Sequence, residues 1–152
     1  MFYSSPIGMI EYEFNDCVLT FLKLHPGQKA SGRHNGDAVC NALDAYFAGS
    51  CTTFNLNVSQ SLTPFQQQVL DYVSAIPYGE TCTYGDIAKM FGRPMSSQAV
   101  GQALNRNGVC IIVPCHRVVA GCGIGGYAPG IAAKKFLLNL EATTLGKVCE
   151  LA

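Results

Sequence analysis

The sequence predicts a mixed α+β or α/β protein, with a sheet and one helix in its first part and mostly helices in its second. Three observations support this fold class. Residues 2–24 alternate apolar and polar side chains, which is typical of strands. Residues 39–47 and 65–76 repeat apolar side chains every three or four positions, which is typical of helices. A polar segment separates the two regions, so we expect domains at 1–61 and 62–152.

Composition limits the class of protein. Hydrophobic residues make up 49% of the 152-residue chain and charged residues 13%, a balance that allows a sizeable core and excludes general disorder. Ten Lys and Arg balance ten Asp and Glu. The first predicted domain carries three basic against five acidic residues and the second seven against five, a tilt too mild to indicate a polyanion-binding protein.

Targeting and metal-binding signals are weak. The first residues have neither the basic leader nor the apolar core of a secretion signal, and no apolar run approaches the roughly 20 residues of a membrane span. We therefore expect a cytoplasmic protein, or a nuclear one in a eukaryote, with no membrane partner. The eight cysteines form no C-x-x-C pair, so most are expected to be small buried residues. We predict no metal and no cofactor.

The elements of the first domain follow from turn signals and periodicity. Turn residues at 6–8 and 15–16 divide the alternating segment into two or three hairpin strands. Residues 25–37 are rich in Gly, Pro, Asn and charge and predict a loop. A helix follows and ends at Gly49; its inward residues are Val39, Leu43, Tyr46 and Phe47. The stretch FNLNVSQS predicts a last short strand and a polar linker.

The second domain opens with a helix that Thr63 caps and Pro64 begins, about fourteen residues long and ended by the Pro and Gly of IPYG. A second helix is predicted over 84–91. After a Gly-Arg-Pro break, a third helix starts at a serine cap, Ser96 or Ser97, and runs through QAVGQALN. Two short helices joined by a tight turn are compatible with a helix-turn-helix unit, although most such pairs merely pack together.

The third helix is expected to present small and amide side chains outward. The small ones are Ala99, Gly101 and Ala103, and those able to hydrogen-bond are Gln98, Gln102, Asn105, Arg106 and Asn107. They are either solvated positions and close-packed alanines, or a face thin enough to enter a nucleic-acid groove. Glycine inside a helix costs roughly 1 kcal/mol relative to alanine, and close approach of a ligand would explain that cost.

The stretch VPCHRV places a cysteine beside a histidine. The β-branched run VCIIV at 109–113 predicts a buried strand that Pro114 ends, with Cys115 at the strand end. Successive side chains of a strand point to opposite faces, so adjacency alone does not pair Cys115 with His116. A turn or a bridging water would have to bring them together, and a carboxylate would orient the imidazole. The candidate is Glu141 in the last helix, whose inward residues are expected to be Phe136, Leu137 and Leu140. The alternative is a buried, inert Cys115.

A resemblance covers residues 62–145. The segment VPCHRVV is preceded by LTPFQQQVLDYVSAIPYGETCTYGDIAKMFG and QAVGQALNRN and followed by GGYAPGIAAKKFLLNLE, and the whole closely resembles the O6-alkylguanine-DNA alkyltransferases. The amino-terminal part resembles that family's small ribonuclease-H-like domain. The resemblance implies a helix-turn-helix and an active-site strand in the second domain. It also implies a monomer that docks in the minor groove of double-stranded DNA, flips out an O6-alkylguanine, and takes its alkyl group irreversibly in a single turnover.

The resemblance also implies residue roles. Cys115 is the nucleophile, His116 and Glu141 activate it through a water, and Tyr84 donates a proton to the base and crowds the phosphate backbone. In the substrate pocket, the carbonyls of Cys115 and Val118 accept from the guanine amine, Tyr127 lies against the base and the Ala128 N–H approaches O6. Asn107 holds the third helix to the active-site strand and Leu104 belongs to the same pocket. The DNA-binding residues are Gln98, Ala99, Gly101 and Tyr84.

The sequence departs from the family pattern at several positions. Gln98 stands where an intercalating Arg is usual, which predicts weaker flipping or DNA affinity. Gly108 and Cys110 stand where prolines often shape the pocket rim, and Ala128-Pro129 replaces a usual Ser-Gly or Ala-Gly pair, so the range of alkyl groups is open. Two other functions stay open: a non-enzymatic protein that binds and flags O6-alkylguanine, and an unrelated thiol hydrolase, for which no oxyanion hole is evident.

Overall fold

The computed structural model describes residues 1–29, 36–92 and 97–146. Three antiparallel strands open the chain. A helix follows, and a fourth strand, parallel to the third, completes a sheet of order β1-β2-β3-β4. These elements are β1 (Phe2–Ser5), β2 (Gly8–Asn15), β3 (Val18–Pro26), α1 (Ala38–Phe47) and β4 (Asn57–Val58). The predicted hairpin strands, helix and short strand are confirmed. Residues 30–35 of the predicted loop lie outside the described residues.

Helix α1 covers the sheet with the face that the periodicity predicts. The carboxylate of Asp37 accepts from the Cys40 backbone N–H at 2.8 Å and caps the helix. The inward side chains are buried: Val39, Leu43 and Tyr46 are each 0% exposed. Gly49 stands just beyond the helix with a φ of 76°, a conformation that favours glycine at a helix end.

In the part of the second half that the structure describes, four helices accompany two short parallel strands. The elements are α2 (Pro64–Ser74), β5 (Cys82–Thr83), α3 (Tyr84–Met90), α4 (Ser97–Asn105), β6 (Val118–Val119) and α5 (Ile131–Thr144). Thr63 and Gln66 form a capping box at the start of α2, as the capping signal predicts. Helix α2 is shorter than predicted because its last turn closes at Ala75. Both α2 and α3 pack on α4. The predicted break at 93–94 and the serine at 96 lie outside the described residues.

The predicted active-site strand over 109–113 is wrong. Only Val109 bridges to β3, at Leu22, and the chain then reverses, with the Val113 N–H donating to the Val109 carbonyl at 3.1 Å. Ile111 has a φ of 71°, which no strand accommodates. The run is apolar because the turn is buried. Its β-branched composition therefore indicated a buried segment and not an extended strand. Residues Cys115–Arg117 form a single 3-10 turn that leads into β6.

Helix α5 presents a face different from the predicted one. Leu137 is buried as predicted and Leu140 is half-buried, whereas Phe136 is 36% exposed and that prediction is wrong. The inward positions include Leu138 and a lysine, Lys134. A lysine is normally expected to be exposed. Because Lys134 is buried, the apolar side chains alone indicated the wrong inward face of α5.

The predicted boundary between domains 1–61 and 62–152 falls in the irregular segment between β4 and α2, and it stays a prediction. Hydrogen bonds join the two parts: Leu22 of β3 pairs with Gly108 and Cys110, and Tyr46 of α1 bonds to Glu141. The amino-terminal part therefore holds the turn before Cys115 through its sheet and the carboxylate behind it through α1. Within the described ranges, no helix has the length and apolar character to cross a membrane.

Candidate active site

A cavity of about 590 Å³ opens between α4, the turn at Cys115 and the loop before α5. Its walls bring together eight of the residues that the sequence predicts for the site: Tyr84, Gln98, Gly101, Leu104, Asn107, Cys115, Tyr127 and Ala128. Four predicted residues do not line it. His116, Glu141 and Val118 are fully buried behind it, and Ala99 lies half-exposed on α4.

The 3-10 turn explains how Cys115 and His116 serve one site although they are adjacent. The Arg117 N–H donates to the Pro114 carbonyl at 3.0 Å and closes this turn. Cys115 then points into the cavity, half-buried, while His116 points into the core with 0% exposure. A 3-10 turn, rather than a strand end, therefore directs the Cys115 and His116 side chains to different places.

Neighbouring side chains favour ionisation of the Cys115 thiol. The Cys110 thiol lowers the pKa of Cys115 most; burial opposes it, and the Asn107 amide and the Lys134 ammonium help to hold the pKa below its ordinary value. A larger share of thiolate at neutral pH makes Cys115 a better nucleophile.

His116 is held by the Glu141 carboxylate. Its Nε2 lies 2.5 Å from Glu141 Oε2, and since a carboxylate only accepts, Nε2 carries the hydrogen and Nδ1 carries the lone pair. Burial lowers the pKa of His116, so the ring is neutral at neutral pH. Nδ1 is buried and has no hydrogen-bond partner among the residues that the structure describes. It is the ring atom available to accept a proton.

Glu141 collects hydrogen bonds from four residues. Besides His116, they come from Tyr46 Oη at 2.6 Å, the Gly79 N–H at 3.1 Å, and Arg117 Nε at 2.7 Å with its Nη2 at 3.2 Å. Burial alone would raise the pKa of Glu141, but His116 and Arg117 outweigh burial and hold it at about 2. Arg117 also donates to the Ile76 carbonyl at 2.8 Å. The carboxylate is thus charged, fixed and inaccessible.

Asn107 ties α4 to the active-site turn. Its Nδ2 donates to the Val113 carbonyl at 3.1 Å, and its Oδ1 accepts from the Val109 N–H and from Gln60, each at 3.1 Å. Asn107 is 9% exposed, so the expectation that it points outward is wrong. Gln60 completes the link by accepting from the Gly108 N–H at 2.7 Å. Gln60 is a site residue that sequence analysis missed, because its partners lie 47 and 48 positions away.

Lys134 is the second residue that sequence analysis missed. It is 0% exposed, and its Nζ donates to the Val118 carbonyl at 2.6 Å and to the Gly126 carbonyl at 2.9 Å. Burial lowers its pKa to about 8, and Cys115 acts in the opposite direction. The available signal was its spacing in the last helix, three and four residues before the buried Leu137 and Leu138.

Two tyrosines flank the cavity. Tyr84 begins α3, and its hydroxyl donates weakly to the Gly126 carbonyl at 3.4 Å. Burial raises the pKa of Tyr84, which keeps the hydroxyl protonated at neutral pH. The Tyr127 hydroxyl is buried and has no hydrogen-bond partner among the described residues; burial, followed by the nearby thiols Cys115 and Cys110, raises its pKa well above the ordinary value. Ala128 is exposed at the cavity mouth.

The outer face of α4 forms the remaining wall. Gln98 is exposed and Gly101 half-exposed, and an added Cβ at Gly101 would meet nothing within 4 Å. Packing inside the protein therefore does not require glycine there. Ala103 is 1% exposed, so its expected outward position is wrong. Among the described residues, no cluster of three His, Cys, Asp or Glu could hold a metal ion.

Comparisons with known proteins point to one family. The family model described as the DNA binding domain of 6-O-methylguanine DNA methyltransferase matches residues 64–143. Methylated-DNA–protein-cysteine methyltransferase from Methanosarcina acetivorans is 42% identical over 150 residues, covering 93% of this chain and 96% of the relative. The protein of the same name from Mycobacterium leprae is 42% identical over 146 residues, covering 90% and 88%.

Solved structures agree. The Mycobacterium tuberculosis OGT in complex with DNA matches with a TM-score of 0.84 and 38% identity, covering 94% of this chain and 92% of that one. The O6-methylguanine-DNA methyltransferase of Pyrococcus kodakaraensis matches with a TM-score of 0.72 and 27% identity, covering 93% and 96%. Both cover the sheet as well as the helices, so the similarity extends through the whole fold.

Proposed function

The chain belongs to the O6-methylguanine DNA methyltransferase family, and from this premise we propose which of its residues carry out the reaction. The protein repairs DNA by transferring the alkyl group of O6-alkylguanine to one of its own cysteines. We assign the acceptor to Cys115. The observation that carries the assignment is the half-buried Cys115 sulfur in the cavity, next to the buried His116–Glu141 pair.

Thiolate formation is the first proposed step. One water between Cys115 Sγ and His116 Nδ1 passes the thiol proton to the imidazole, which is neutral and has its lone pair on that nitrogen. Glu141 stabilises the resulting imidazolium, because its carboxylate stays ionised. This relay is supported by the fixed orientation of both buried side chains.

Displacement is the second proposed step. The thiolate attacks the alkyl carbon in line with its bond to O6, so the S–C bond forms while the C–O bond breaks and its electron pair leaves with guanine. Tyr84 donates a proton to the departing base, and the proton held by His116 balances the one given up. The thioether product has no good leaving group. Each protein molecule therefore acts once.

The guanine is proposed to lie in the cavity with Tyr127 against the base and the Ala128 N–H toward O6. Leu104 and Asn107 supply the opposite wall. The carbonyls of Cys115 and Val118 accept from the exocyclic amine; the Val118 oxygen already accepts from Lys134 but has a second lone pair. Lys134 acts as a positioning residue, because it joins β6 to the 126–129 loop and places positive charge near Cys115.

DNA docking is proposed to use α3 and α4 as a helix-turn-helix unit in the minor groove. Ala99 and Gly101 approach the groove, and Gln98 fills the stack that the flipped nucleotide leaves, at an unstacking cost of a few kcal/mol. Tyr84 lies against the backbone phosphate. A one-sided site of this kind acts as a monomer.

The proposal also covers the fold type of the amino-terminal part and the location of the protein. The meander of β1 to β3 followed by α1 and a parallel strand supports a ribonuclease-H-like description of the amino-terminal part. A genomic DNA substrate supports a cytoplasmic location, or a nuclear one in a eukaryote. A lesion-binding function without transfer is not favoured, because relatives with the transferase name cover nearly the whole chain and the nucleophile is present.

The direct test is to incubate the protein with excess duplex DNA carrying one O6-methylguanine and to measure intact mass. We expect a gain of about 14 Da, one methylene, on every molecule, and restored guanine in the DNA. Trypsin cuts after Arg106 and Arg117, so the methyl group should appear on peptide 107–117, NGVCIIVPCHR. Tight binding to the lesion with no mass gain would instead establish a recognition protein.

Gly101→Ala is expected to stabilise the protein and weaken DNA binding at once. Alanine raises the helix stability by roughly 1 kcal/mol and meets no protein atom, whereas its methyl group would separate α4 from the groove. Thermal unfolding and fluorescence anisotropy with a labelled duplex measure the two effects. Gln102→Ala, on an exposed position of the same helix, should leave binding unchanged. Unaltered DNA affinity in Gly101→Ala would contradict the docking proposal.

Gln98→Arg is expected to tighten binding to the methylated duplex by about fivefold, roughly 1 kcal/mol, because it adds a charge where DNA is proposed to approach. The same titration at several salt concentrations should show a steeper salt dependence. Gln102→Arg adds the same charge to the same helix outside the cavity and serves as the control. Equal gains in both variants would show that position 98 has no special role.

A further inference from the structure

A second thiol lies on the same wall as the proposed nucleophile. Cys110 is 8% exposed and lines the same cavity as Cys115. The intervening residues reverse the chain: Ile112 N–H donates to the Cys110 carbonyl at 2.8 Å, and Val113 N–H donates to the Val109 carbonyl at 3.1 Å. This turn brings two cysteines five positions apart to one wall. The alkyl transfer proposed above uses only one of them.

We propose that Cys110 and Cys115 form a reversible disulfide that protects the nucleophile from irreversible oxidation; the proposal rests on Cys115 being the alkyl acceptor. The oxidant is hydrogen peroxide, which is small enough to enter the open cavity. Among the described cysteines, Cys110 and Cys115 are the two that line this cavity. The pairing partner is therefore determined by the fold rather than by chance collision.

The chemistry balances in two steps. The Cys115 thiolate attacks one peroxide oxygen, the O–O bond breaks, and Cys115 becomes a sulfenic acid while hydroxide leaves. The Cys110 sulfur then attacks the Cys115 sulfur, the S–O bond breaks, and a second hydroxide takes the Cys110 proton and leaves as water. A dithiol reductant then converts the Cys110–Cys115 disulfide back to two thiols and is itself oxidised to a disulfide. Without Cys110, further peroxide would convert the sulfenic acid to sulfinic acid, which thiols do not reduce.

Protection of Cys115 from irreversible oxidation matters for a protein that acts only once. An alkylated Cys115 cannot be restored, and neither can a sulfinic acid, so every over-oxidised molecule is lost before it repairs anything. A disulfide stores the sulfur in a form that a thiol reductant recovers. The Tyr127 hydroxyl is buried and has no hydrogen-bond partner within the part of the chain that the structure describes, and Tyr127 lines the same cavity, so its hydroxyl can donate to a sulfur during the second step.

The test treats reduced protein with hydrogen peroxide, blocks free thiols and digests with trypsin. Both cysteines lie in peptide 107–117, so the disulfide should appear as a loss of about 2 Da on this one peptide, with neither thiol blocked. Dithiothreitol should then restore alkyl transfer to most of its untreated level. A disulfide to another cysteine, or a gain of about 32 Da on this peptide in place of the loss, would overturn the proposal.

Variants separate the roles. In Cys110→Ala, peroxide should remove alkyl transfer and dithiothreitol should not recover it, each measured relative to the untreated variant. Cys122→Ser, an exposed cysteine in the next tryptic peptide, should recover like the unaltered protein. Equal recovery in Cys110→Ala would overturn the proposal. Prior methylation by damaged DNA should prevent the 2 Da loss; if the untreated protein fails to transfer the methyl group, the assigned function fails while the peptide mass still decides the disulfide.

Discussion

Cys115→Ala is expected to abolish alkyl transfer while duplex binding stays measurable. The thiolate supplies the bonding electron pair, and no water or other side chain can replace it, since the transfer ends in a thioether. The neighbouring Cys110 and Asn107 side chains lower the pKa of Cys115. The expected result is no mass gain after incubation with excess methylated duplex and no restored guanine. Alanine leaves the cavity walls in place, so the lesion should still bind.

The control for this experiment is a cysteine outside the cavity. Cys122→Ser removes an exposed thiol seven positions along the chain and should transfer at the rate of the unaltered protein. Cys110 is the informative competitor, because it lines the same cavity but the neighbouring Cys115 and burial raise its pKa. Methyl transfer to Cys110 in the Cys115→Ala protein would show that the assignment of the nucleophile is wrong.

Local signals predicted much of the fold because they act within a few residues. The capping box at Thr63 depends on a bond to a residue three positions away, and the inward face of α1 depends on a repeat of 3.6 residues. The hairpin strands likewise depend on a local repeat, the alternation of apolar and polar side chains. Such features require no knowledge of the rest of the chain. The PCHR tetrapeptide is equally local, so Cys115 and His116 were found with it.

Features set by distant contacts could not be predicted. The turn at 109–113 exists because Asn107 and Gln60 hold its backbone groups, and Leu22 of β3 pairs with it. Its composition alone is that of a strand. Lys134 was missed for a related reason: a buried lysine is stable only when carbonyls accept from it, and its partners Val118 and Gly126 are separated from it in sequence. Both errors occur where hydrogen bonds between residues distant in sequence outweigh the local conformational preference of the chain.

Glu141→Gln is expected to cost about 3–5 kcal/mol of unfolding free energy at neutral pH, as removing one partner of a buried ion pair does. The amide is nearly isosteric but uncharged, and it presents donors where the carboxylate accepts from His116, Arg117 and Tyr46. Some of these donors would face the NH2 group and lose their partner. Urea denaturation at pH 7 measures the loss. Glu80→Gln, on an exposed carboxylate, should change stability by little.

The pH dependence separates this charge effect from a packing effect. The folded pKa of Glu141, about 2, lies below the unfolded value of about 4.3, so its ionisation stabilises the fold above that value and the contribution is lost as pH falls toward 2. The gap between the unaltered protein and Glu141→Gln should therefore be constant above about pH 5 and narrow below it. A gap that persists undiminished at pH 3 would assign the loss to packing.

The same substitution should slow alkyl transfer in molecules that remain folded. With Glu141 gone, the His116 imidazolium loses its counter-charge, and its ring is no longer held with the lone pair on Nδ1. We expect the single-turnover rate to fall about a hundredfold or more, the usual contribution of a general base. Measurement at low temperature, on protein whose circular dichroism is native, isolates this effect from unfolding. An unchanged rate in folded Glu141→Gln would mean that the thiolate forms without His116, through Cys110, Asn107 and Lys134 alone.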